Sequence, residues 1–119
     1  DSFGHDFGDQ VLVTFAKHVK DSIDDTCYFA RLGGEEFCLI QINNKDTFCF
    51  ANTEKLLQTT KTIKLMTPDN LNIGMSFSAG VAVYGKDGIS LDELLNNADK
   101  ALYFAKENGR SRVVKFEGA

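Results

Sequence analysis

The chain has 119 residues, 43% hydrophobic and 25% charged, which suits one soluble globular domain and excludes a disordered or fibrous chain. Its net charge of −4 excludes a non-specific nucleic-acid binder or a protein held to anionic membranes by charge. Cys27, Cys38 and Cys49 form no CxxC pair and are odd in number, so they read as reduced thiols in a cytoplasmic setting, Cys27 and Cys38 in the core. No stretch reads as a signal peptide or a membrane span, so any membrane anchor of a parent protein lies outside these residues.

Residues 1–9 are rich in Gly and Asp and read as a loop entering a helix. From about Asp6, Val11, Leu12, Phe15, Ala16, Val19 and Ile23 fall at helical spacing with one buried face, and His18 reads as a surface residue. Thr26 to Arg31 and Glu36 to Ile42 read as two strands of a hairpin, broken by Gly33-Gly34. The second strand is almost wholly apolar and so reads as covered on both faces. Asn43 to Asp46 reads as a turn. A second helix is expected from about Thr47 to Leu65, with uncertain ends because of its threonines. Ile73 to Tyr84 reads as one strand. Ser90 and Glu93 form a capping box before a third helix that ends at Gly109, and Arg112 to Phe116 reads as a last strand. This order predicts an α+β fold with a mostly antiparallel central sheet flanked by helices in two layers, residues 1–119 forming a single domain.

Two stretches carry candidate chemistry. At Gly33-Gly34-Glu35-Glu36-Phe37 the glycines allow a ligand close to the backbone, and adjacent carboxylates offer oxygen ligands to a hard cation. These residues alone fit an acidic, solvated hairpin tip equally well. Lys106 and Arg110 lie four residues apart at a helix end. There they either match the helix dipole or hold a phosphate, Arg110 through its planar fork of donors. Arg31 and Arg112 carry the same two readings.

Four stretches, in order, resemble the GGDEF domains, the diguanylate cyclases. Gly33 to Phe37 resembles the GG(D/E)EF signature. Phe3-Gly4-His5-Asp6-Phe7-Gly8-Asp9 resembles the family's yGHxxGD segment. Met75 to Val81 resembles tiSiGva, and Ala98 to Arg110 resembles ADxALYxAKxxGR, with Ser111 where the family has Asn. The resemblance spans nearly the whole chain and implies a palm-like nucleotidyl cyclase fold on a ferredoxin-like core. It also implies that two domains meet as a homodimer and condense two GTP into cyclic di-GMP. By position, it implies that Glu35 and Glu36 bind metal and act in catalysis, the ion being Mg²⁺ with Mn²⁺ as the alternative. Gly33 and Gly34 would let the nucleotide lie on the backbone, Asp9 would accept hydrogen bonds from guanine, and Lys106 and Arg110 would grip the terminal phosphates. His5 is left structural, and Tyr103 and Asp99 are assigned to packing and helix-face contacts.

Two departures qualify the resemblance. The family's first strand, with its DxDxFKxiN pattern, is absent before Asp1, so the 119 residues alone are expected to bind GTP weakly and turn over little. That truncation should also leave an open hydrophobic face. The RxxD product site would fall on Asp24 to Cys27, which has neither the Arg nor the Asp, so no product inhibition through that site is expected. The leading reading is an active diguanylate cyclase domain. The alternative is a non-catalytic GTP-binding domain that regulates a neighbour, and a third is another nucleotide-processing enzyme with a related sheet.

Overall fold

The structure is a computed structural model that describes residues 5–23, 27–33, 36–41 and 48–117. Its elements are α1 (His5–Ser22), β1 (Cys27–Gly33), β2 (Glu36–Gln41), α2 (Phe48–Thr60), β3 (Lys64–Met66), β4 (Asn72–Gly74), β5 (Ala79–Val81), α3 (Leu91–Glu107) and β6 (Val113–Lys115). The fold is α+β, as expected. Among the described residues the strands pair as three two-stranded ladders, β1–β2 and β3–β4 antiparallel and β5–β6 parallel. The parallel pair was not foreseen. It exists because α3 supplies the crossover that parallel neighbours need.

The chain forms two compact units, Asp1–Asn43 with Thr59–Met75, and Asn44–Gln58 with Ser76–Ala119. In the first, Phe7, Leu65 and Met75 are buried, with Val11, Phe15, Ile63 and Ile73 packed on them. Here Phe29 and Phe37 stack with centroids 5.2 Å apart and planes 6° apart, and Phe15 meets Phe37 edge-on at 5.3 Å. The three rings fasten α1 to the inner face of the hairpin. In the second unit, Leu57, Val81 and Val113 are buried, with Phe50, Phe77 and Ala79 against them. Val81 and Val113 belong to the two strands that flank α3 in sequence, so packing and topology agree.

Some expected boundaries move. The second helix stops at Thr60 rather than Leu65, because Thr62 N and Ile63 N donate to Thr59 O and Thr60 O in a tighter turn. The Thr62 hydroxyl also donates to Thr59 O at 2.6 Å, competing with the helix, and β-branched residues there favour β3. The single strand expected over 73–84 is two short ones. The backbone leaves the β3–β4 ladder after Gly74 and pairs with β6 from Ala79, whose N–H donates to Arg112 O at 3.0 Å.

His18 is partly exposed on α1, and its ring nitrogen is 3.0 Å from the Thr59 hydroxyl, a partner the sequence did not announce. The second hairpin strand is not covered on both faces along its length, since Ile40 is 41% exposed opposite exposed Tyr28. The capping box forms: Glu93 N donates to Ser90 Oγ at 3.2 Å. Its reciprocal bond is shifted by one residue, with Ile89 N donating to Glu93 Oε1 at 3.0 Å.

Candidate functional site

The hairpin carries the signature at its tip. Its register runs from Cys27 opposite Gln41 to Arg31 opposite Phe37, then Gly33 opposite Glu36. Leu32 is therefore an extra residue on β1, a bulge that twists the strand just before the turn. Gly34 and Glu35 lie outside the described residues, as do Asp24 to Thr26, the turn expected over Asn43 to Asp46 and the first four residues. Glu36 is exposed at the start of β2, and among the described residues a side chain at Gly33 would meet nothing within 4 Å.

Behind the tip lies a groove of about 380 Å³ between α1 and the hairpin. Asp9, Leu12, Val13, Ala16 and Lys20 line it from α1, and Phe29, Arg31 and Phe37 from the strands. The α1 residues form one helical stripe, because spacings of three and four return to the same face. The groove therefore has an apolar floor with a carboxylate, Asp9, and two cations, Lys20 and Arg31. A flat, hydrogen-bonding ligand with negative charge would suit that mixture. Phe37, which lines the groove, directly follows Glu36, so Asp9 and the signature hairpin share one unit. Sequence reasoning did not single out Lys20. The available signal was its position eleven residues after Asp9, three helical turns along one face.

Lys106 and Arg110 stand in the other unit, at the C-terminal end of α3. Lys106 is half-buried in the last turn and Arg110 is exposed beyond it. The helix closes as expected of a glycine stop: Gly109 has φ +113 and Arg110 N donates to Ala105 O at 2.9 Å. Asp99 is exposed and Tyr103 is 65% exposed, so among the described residues most of the Tyr103 side chain is uncovered.

An ion at the tip would draw on hard oxygen donors, and the acid pair of the signature fits that chemistry. Among the described residues no three or more His, Cys, Asp or Glu side chains converge. The donors the signature offers are thus Glu36 and the undescribed Glu35. No described helix is long and apolar enough to cross a membrane.

These features define an α+β domain with an acidic glycine hairpin beside a mixed polar groove. The sequence profile described as "Diguanylate cyclase, GGDEF domain" matches residues 1–112, and the chain belongs to that family. It is 34% identical over 116 residues to the cyclic di-GMP phosphodiesterase NbdA of Pseudomonas aeruginosa, covering 98% of this chain and 15% of that protein. It is 36% identical over 114 residues to diguanylate cyclase A of Treponema denticola, covering 96% of this chain and 30% of that protein. The chain thus spans less than a third of the length of either relative. The active GGEEF domain of a diguanylate cyclase from Vibrio cholerae superposes with a TM-score of 0.83 at 32% identity, covering all of this chain and 74% of that one.

Proposed function

We propose that residues 1–119 form one GGDEF domain that condenses two GTP into cyclic di-GMP, working as a dimer of domains in the cytoplasm, where GTP is found. The observation that carries this reading is the unbroken Gly33-Gly34-Glu35-Glu36-Phe37 signature on a hairpin whose Phe37 lines the same groove as Asp9.

In this reading the groove takes the guanine. Asp9 accepts hydrogen bonds from the N1–H and 2-amino group of guanine, which adenine cannot offer in that pattern. Phe29 and Phe37 supply apolar surface along the base, and Gly33 leaves room for the ribose and phosphates to lie on the backbone. Lys106 and Arg110 hold the terminal phosphates, Arg110 by two parallel N–H···O bonds.

Mg²⁺, or Mn²⁺ in its place, held by Glu35 and Glu36, would supply charge neutralisation at the phosphates and acidify the attacking hydroxyl. Glu35 takes the proton as the 3′-oxygen of one GTP bonds to the α-phosphorus of the other and pyrophosphate leaves. The same step in the opposite sense closes the ring and releases the second pyrophosphate. Each domain carries one nucleotide, so most of the rate comes from holding two substrates in line.

The test is incubation of a purified protein that carries residues 1–119 behind the family's first strand with GTP and Mg²⁺, followed by separation of the nucleotides; residues 1–119 by themselves are expected to turn over little. Cyclic di-GMP with two pyrophosphates per product supports the reading, and unchanged GTP overturns it. A second reading, a GTP-binding domain that regulates a neighbouring module, is favoured by one observation. A similar stretch occurs in a relative named as a phosphodiesterase. Tight GTP binding without product would select that reading.

A further inference from the structure

The cationic end of α3 is followed by a turn in an unusual backbone state. Arg110 and Ser111 have φ of 60° and 48°, the left-handed region that non-glycine residues rarely occupy. Hydrogen bonds fix that state from both sides. Arg110 N donates back to Ala105 O at 2.9 Å. Ser111 N donates to Ser78 Oγ at 2.9 Å, and the Ser76 and Ser111 hydroxyls are hydrogen-bonded to each other. Arg112 then returns into the β5–β6 ladder, its carbonyl accepting from Ala79 N, while its Nε donates to Arg110 O at 3.1 Å.

We propose that Ser76 and Ser78 are positioning residues for phosphate recognition. They clasp residue 111 to the segment leading into β5, and so set the direction in which the exposed Arg110 side chain leaves the backbone. All the atoms involved lie within one compact unit. A left-handed turn without such a clasp relaxes toward ordinary backbone angles, and the guanidinium then starts from a different place. Short hydroxyl side chains suit this work, because they bond the backbone without filling the space the ligand needs. The inference rests on the reading that Arg110 holds a phosphate of GTP.

The test is the affinity of the protein for a fluorescent GTP analogue. Ser78→Ala should weaken binding about fivefold, the loss of roughly one hydrogen bond's worth of order. Ser76→Ala, at an exposed hydroxyl that folding tolerates, should weaken it in the same direction. Ser78→Thr, which keeps the hydroxyl, should bind like the wild type. Arg110→Ala should weaken binding at least as much, and adding Ser78→Ala to it should cost nothing further, since the serine acts through the arginine. Wild-type affinity in the serine variants, or full additivity with Arg110→Ala, overturns the clasp while leaving the phosphate role intact. Wild-type affinity in Arg110→Ala overturns that role and the clasp with it.

Discussion

Gly80 of β5 lies against the backbone of Ala98 in α3. A Cβ on Gly80 would stand 3.0 Å from the Ala101 carbonyl carbon and closer still to Ala98 O and Leu102 N. The neighbouring atoms are helix backbone and cannot swing aside. Gly80→Ala should therefore push α3 off the strand and cost about 3 kcal/mol, the upper part of the range for overpacking. Urea unfolding measures it. A loss below about 1 kcal/mol would mean that the two elements do not pack this closely.

The ring trio makes a second prediction. Phe37 touches both Phe29 and Phe15, so its removal loosens the hairpin from α1 and opens the groove floor. Phe37→Ala should cost about 2 kcal/mol, less than a fully buried phenylalanine because Phe37 is half-buried. GTP affinity should fall with it, and Phe37→Leu should recover part of both. Unchanged affinity in Phe37→Ala would separate the groove from the nucleotide.

A third concerns the start of α3. Ser90→Ala removes the acceptor of the Glu93 N–H and should cost about 1 kcal/mol. Glu93→Ala should cost less, since its carboxylate accepts from an exposed N–H, that of Ile89. Equal losses would show that the shifted box acts as one unit.

Burial pushes the Cys38 thiol above its usual value of 9.0. As pH rises past that value the unfolded chain gives up this proton first, so stability falls from there up through the folded value and is unaffected below it. As pH rises through 9.0 and above, the wild type should lose more stability than Cys38→Ala. Parallel losses in the two proteins would place Cys38 in contact with water.

Much of this molecule was legible in the sequence because several of its devices are local. The double glycine between apolar runs gave the hairpin, Ser90 with Glu93 gave a helix start, and Gly109 gave its stop. What escaped depends on partners distant in sequence. Thr59 gives His18 a hydrogen-bond partner forty-one residues away, which no local pattern announces. The break at residues 75–78 was hidden because Met75 and Phe77 are apolar enough to continue a strand, while their burial goes to different clusters. The parallel β5–β6 pair requires residues more than thirty apart to meet, and no short pattern announces that. At the site, the signature and Asp9 were readable as residues. The groove wall from Lys20 and the serine clasp were not, because each comes from side chains converging across elements.

The most direct test of the account is cyclic di-GMP formation from GTP and Mg²⁺ by a protein that carries residues 1–119 behind the family's first strand, in its wild-type, Glu35→Gln and Glu36→Gln forms, with GTP affinity measured on the same samples. Glutamine keeps size and removes charge. The account predicts product from the wild type and a loss on the order of a thousandfold in Glu35→Gln, as expected when a metal ligand and proton acceptor is lost. It predicts a smaller loss in Glu36→Gln, and nucleotide affinity reduced far less than the rate in both. Product formed by Glu35→Gln at the wild-type rate would contradict it.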